Sequence, residues 1–130
     1  MKLILLLFLT LSLSLSADEM YEIDFGKLRG YVKTASAIEQ KLKVLELLRA
    51  SKSKKDKNIQ EAIKFLEFNL SDDIADLGSY LYGKRTKIND KVLLTPLLKA
   101  KKYRQTYPYK YEEGRTKELV ESMFKQLEKN

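Results

Sequence analysis

The chain has 130 residues, 25 Lys and Arg against 18 Asp and Glu, and neither His nor Cys. Without those two residue types, Ser-His-Asp and Cys-His catalysis, thiolate chemistry and the usual zinc and haem ligands are excluded. What remains is one domain's length of a basic chain that must fold on its apolar core alone, with no disulfide to help it.

The first element is a leader. Met1-Lys2 supplies a short positive region, Leu3 to Leu9 is unbroken apolar sequence, and Ser14-Leu15-Ser16 places small residues before Ala17. Charge, apolar core and small residues in that order predict a cleaved signal peptide over residues 1–17. The cut falls after Ser16 or after Ala17. A retained membrane anchor is the competing reading, but it needs about 20 apolar residues, and Asp18 and Glu19 end the stretch early. No Cys is present to carry a lipid at the cleavage site. The expected compartment is therefore periplasmic or extracellular, with no stable membrane span after cleavage and residues 18–130 as a single helical domain.

Removing the leader takes away Lys2 and no acid, leaving a net charge of +6 that is unevenly spread. Residues 59–83 carry Lys64 against Glu61, Glu67, Asp72, Asp73 and Asp76. Residues 84–110 carry nine Lys and Arg against Asp90 alone.

In the mature chain Gly is scarce and the only prolines are Pro96 and Pro108, so long uninterrupted helices are expected. Phe25, Leu28, Val32, Ala35, Ile38, Leu42 and Leu45 recur at gaps of three and four, which predicts a first helix of about 25 residues. Asp24 offers it an N-cap. Residues 51–58 contain no apolar side chain and read as a polar linker, with Asn58 available to cap the next helix. Ile59, Ile63, Leu66, Leu70, Ile74, Leu77 and Leu81 then hold helical spacing to about residue 82. Ser71-Asp72-Asp73 could begin a separate helix, but the stripe passes through without a phase break. Two long helices across a short linker predict an αα-hairpin.

Residues 83–89 form a second, basic linker. A third helix follows, begun at Asp90 or Thr95, with Leu93, Leu94, Leu97, Leu98 and Ala100 on its apolar side. Pro96 suits the first turn after Thr95 and would kink a helix begun at Asp90. Tyr107-Pro108 stops it. Thr116 can cap a fourth helix carrying Leu119, Val120, Met123, Phe124 and Leu127. The expected architecture is all-α: a small bundle of about four helices.

Chemistry is sparse. Asp72, Asp73 and Asp76 lack the alternating acids and central Gly of a calcium loop, and read as a solvated face. Glu121-Ser122 matches the Glu-Ser dipeptide of lytic transglycosylases, but the Gly-Leu-Met-Gln segment that follows it there is missing. With Glu112-Glu113 it leaves an Asp/Glu-dependent cell-wall glycan hydrolase as a third-ranked reading. No cofactor is indicated.

The segment 99–111 is more suggestive. Lys99, Lys101, Lys102, Arg104 and Lys110 interleave with Tyr103, Tyr107, Tyr109 and Tyr111. Cations track phosphates or other polyanions, and aromatics stack. Such a strip could hold nucleic acid, lipopolysaccharide or an acidic glycan. Alternatively the tyrosines cover the bundle's end, or the strip packs against the acidic 59–83 helix. The leading expectation is a non-enzymatic interaction module for an envelope or secreted protein, since Val44, Leu47, Phe65 and Phe68 sit off the main stripes. Those four are either exposed for a partner or buried in the bundle.

Overall fold

A computed structural model describes residues 25–83, 91–110 and 113–129. These form four helices and no strand: α1 Phe25–Ala50, α2 Lys57–Gly83, α3 Lys91–Thr106 and α4 Gly114–Leu127. The arrangement is that of a small helical bundle. The leader, Asp24, the segment 84–90, Tyr111 and Glu112 lie outside the described residues. None of the helices is long and apolar enough to cross a membrane. Contacts divide the chain after Gly30, and the packing described below is that of residues 31–130.

α1 ends at Ala50, and residues 51–56 turn the chain through backbone bonds from Lys54 N–H to the Ser51 carbonyl (3.2 Å) and from Asp56 N–H to the Ser53 carbonyl (2.8 Å). Asp56, not Asn58, caps α2. Its carboxylate accepts the backbone N–H of Asn58 at 2.8 Å and of Ile59 at 3.4 Å. One acid thus satisfies two of the donors a helix start leaves open, which Asn58 cannot do from inside the first turn.

α2 runs unbroken through Ser71-Asp72-Asp73 for 27 residues. It lies antiparallel to α1: Tyr31 stacks on Tyr80 with ring centroids 3.8 Å apart, Lys41 pairs with Asp73, and Arg49 pairs with Glu67. As α1 rises from 31 to 49, its partners descend from 80 to 67, which fixes the hairpin's register.

α3 starts at Lys91 and carries Pro96 within it. Of the two starts open to this helix, the one at Thr95, with Pro96 in the first turn, gives way, because burying Leu93 and Leu97 on one face outweighs the one backbone bond that proline removes. Thr116 likewise falls inside α4. The cap position is Glu113, extended and without a side-chain cap bond, and Gly114 follows at φ +59°. Only Gly takes that backbone readily, so Gly114 turns the chain into α4.

Ile38, Leu45, Leu70, Ile74, Leu77, Leu93 and Leu97 are fully buried, joined by Val120 and Met123 from α4. α4 crosses α2 where Gly78 meets Met123.

Candidate functional site

Glu67 lies mid-helix in α2 and is 2% exposed. It shares a helix face with Ile63, Leu70, Ser71 and Ile74, all buried, because residues three and four apart stack on one side of a helix. A lone carboxylate there would be costly, and the bundle surrounds it with donors from two other helices. From α1, Arg49 Nη2 donates to Oε1 at 2.7 Å. From α3, the Tyr103 hydroxyl donates to the same oxygen at 2.5 Å. Arg104 Nη1 lies 2.7 Å from Oε2 as an ion pair rather than an aligned hydrogen bond. Arg104 Nη2 also donates to the Glu67 backbone carbonyl at 3.1 Å and to Ser71 Oγ at 2.8 Å.

Tyrosines close over this cluster. Arg49 Nε donates to the Tyr103 oxygen at 2.7 Å, and its guanidinium carbon sits 4.5 Å from the Tyr107 ring centre. Arg104 lies 4.7 Å from the centre of Tyr109, so cation–π contacts hold both guanidiniums on their outer sides. Buried in this way, Glu67 is out of reach of a substrate. The cluster ties α1, α2 and α3 at one level.

Burial and the neighbouring Glu67 carboxylate push the Tyr103 phenol well above its ordinary range, with Arg49 opposing. The folded protein therefore keeps this proton at pH values where the unfolded chain, titrating near 10.0, gives it up. Such a contribution is complete below about pH 10 and is lost as pH rises further. Tyr103→Phe is expected to cost about 1–3 kcal/mol at neutral pH by leaving Glu67 and Arg49 each one partner short. It should also flatten the fall in urea midpoint between about pH 9 and about pH 11 relative to wild type. Parallel slopes for the two proteins would show that Tyr103 does not carry that alkaline sensitivity.

The structure distributes the 99–111 strip over several surfaces. Tyr103 and Arg104 point inward, because the helical turn that exposes Lys102 sends Ala100, Tyr103 and Arg104 to the core side. The alternative, a meeting of the strip with the acidic helix, is thus made among the described residues by Tyr103 and Arg104 on Glu67 and Ser71. Lys99 pairs with Glu39 at 2.7 Å and Lys101 with Glu128 at 3.0 Å. The first of these pairs is exposed and worth little. Lys102, Tyr107 and Lys110 face solvent, Tyr109 is half-buried, and Tyr111 lies outside the described residues.

Lys99, Lys102, Tyr103 and Tyr107 do come together along one groove. Its opposite wall is Glu39, Leu42, Lys43 and Glu46 of α1, and its volume is about 560 Å³. Three lysines there face two glutamates, so the groove is close to charge-balanced and lacks the single-sign field that a polyanion needs.

The off-stripe apolar residues are exposed. Leu47 is 72% exposed and Phe65 68%, with Phe68 and Val44 about half exposed. By the hairpin register, Leu47 lies level with Phe68, and Val44 lies nearly a turn away, level with Ser71. The Glu67–Arg49–Arg104 cluster had one sequence signal, an acid on the apolar stripe between Ile63 and Leu70. The Arg partners, 18 and 37 residues away, had none.

The chain matches no known protein-family model, no curated protein and no solved structure.

Proposed function

We propose that this chain is an exported, non-enzymatic interaction module that engages another protein through the outward side of its α1–α2 hairpin. The observation that supports the reading is the exposure of Phe65 and Phe68. Burying a large apolar side chain is worth about 1.5–3 kcal/mol, and two such residues one helical turn apart on a solvated face mark a surface that gains by being covered. Leu47 stands at the same level of the hairpin as Phe68. The bundle beneath holds the surface rigid, since Arg49 and Glu67 fix α1 against α2, so little ordering entropy opposes docking. Export follows from the order of charge, apolar core and small residues in 1–17. The alternative, polyanion binding by the basic segment, has less support because Arg104 is committed to Glu67 and the groove is balanced in charge.

A photoreactive crosslinker in place of Phe68, with a control at exposed Ser36, tests the reading in the source cells. A discrete protein adduct at 68 and none at 36 is the expected result. Equal, diffuse labelling at both positions would sink the interaction surface. Salt-sensitive retention of nucleic acid or acidic glycan, lost on charge reversal at Lys102 and Lys110, would move the assignment to polyanion binding. Mass spectrometry of the exported product should find it beginning at Ala17 or Asp18. A chain that keeps Met1 inside the cell would overturn export.

A further inference from the structure

α2 presents one outward row: Glu61, Phe65, Phe68 and Asp72, at steps of four, three and four, all exposed. α3 presents another: Lys91, Thr95, Leu98 and Lys102, at the same steps and also all exposed. Both rows lie opposite the buried face of their own helix, where Leu70 and Ile74 (α2) and Leu93 and Leu97 (α3) enter the core. In each row the end charges stand eleven residues apart, about 16 Å along a helix. Phe65 and Phe68 lie between the two acids, and Thr95 and Leu98 between the two lysines. One row is acidic at both ends and the other basic at both ends. None of the four end charges forms an ion pair with a described residue of its own chain.

We propose that the chain self-associates head to tail, the Glu61–Asp72 row of one copy docking on the Lys91–Lys102 row of the next. The proposal rests on the reading of the chain as an interaction module and names one partner of its α2 face. Set against each other in either direction, the two rows bring each acid to a lysine and place Phe65 and Phe68 on Thr95 and Leu98. Phe65, Phe68 and Leu98 at the centre supply most of the affinity, because exposed ion pairs contribute little. The end charges set register and exclude the symmetric alternative. Two copies meeting α2 to α2 would oppose Glu61 and Asp72 with like charge, and α3 to α3 would oppose Lys91 with Lys102. A contact between unlike faces leaves one free face at each end, so association continues beyond a dimer unless a ring closes.

Sedimentation velocity on the processed chain, from about 1 to about 500 µM, should show mass-average growth with concentration. That growth should shrink as ionic strength rises. Phe65→Glu and Leu98→Glu each spoil one face, and each alone is expected to weaken association at least about tenfold. Both positions are solvent-facing, so circular dichroism should report unchanged folding. Mixed one to one, the two variants should form a heterodimer that stops there, since each retains the face that the other lacks. A wild-type chain that stays monomeric throughout, a Leu98→Glu variant that associates like wild type, or a mixture that forms no heterodimer would each overturn the proposal. If the wild type is monomeric while the crosslinker at position 68 still captures a different protein, self-association falls and the interaction module stands.

Discussion

Replacing Glu67 by Ala is expected to destabilise the fold by about 3–5 kcal/mol, the range for removing one member of a buried ion cluster. The loss has a definite anatomy. Arg104 is itself buried, and its Nε already lacks a partner. Without Glu67 its charge would remain in the core, held by Ser71, a backbone carbonyl and the face of Tyr109, none of which carries a compensating charge. Arg49 is partly exposed and can turn to water, so most of the penalty falls on Arg104 and on the stranded Tyr103 hydroxyl. Domains of this size have only about 5–15 kcal/mol in total. With a slope of about 1–3 kcal/mol per molar urea, the midpoint should drop on the order of 2 M. Glu67→Gln keeps an acceptor for Tyr103 but no charge for Arg104, and should fall between. Replacing Glu67 by Leu together with Arg104 by Met removes both buried charges, and should recover most of what the single variant loses. If Glu67→Ala shifts the midpoint no more than an ordinary surface change, the cluster does not hold the bundle together.

That cluster also marks where sequence reading stops. The four helices were legible because few residues interrupt them, and because Ala35, Ile38, Leu42 and Leu45 in α1, like Leu70, Ile74 and Leu77 in α2, repeat at helical steps. The same repeat includes Leu66 in α2, yet Leu66 is half-buried and Glu67 beside it takes the buried place. A hydropathy pattern treats every acid as solvated, whereas the fold can bury one by bringing guanidiniums from elsewhere in the chain. Those partners depend on how α1 and α3 pack on α2, which local spacing does not encode. The caps differ from the spacing's expectation for a related reason. Asn58 lies two positions after the cap Asp56 and Thr116 three positions after the cap Glu113, and where each helix starts was decided by Asp56 and by the positive φ of Gly114. The basic strip shows the same limit. Its composition was plain, but helical rotation sends Tyr103 and Arg104 inward and Lys102 outward, so residues adjacent in sequence serve different surfaces.

Gly78→Leu is the second large effect, and it tests how α4 is held. α4 buries only Val120 and Met123, so its attachment depends heavily on the crossing with α2. A Cβ on residue 78 would stand 2.3 Å from Met123 Cε, 3.4 Å from its Cβ and 3.5 Å from its Cγ. The closest of these atoms ends a flexible side chain and can swing away. Gly78→Ala should therefore be nearly neutral: Ala gains about 1 kcal/mol of helix propensity over Gly, which offsets the cost of moving one methyl group. Leu is different, because its branches must occupy the space held by Met123 Cβ and Cγ, and these can move only if α4 moves. Overpacking of that kind costs about 1–3 kcal/mol and at times more. The loss should concentrate in α4, with hydrogen-exchange protection over residues 114–127 falling before that of α1 and α2. Adding Met123→Ala to Gly78→Leu restores volume at the crossing and should return part of the stability, a coupling that independent sites would not show. A Gly78→Leu variant as stable as wild type would mean that α2 and α4 do not cross at residue 78. Equal costs for Ala and Leu would mean that Gly78 is needed for its backbone rather than for the space it leaves.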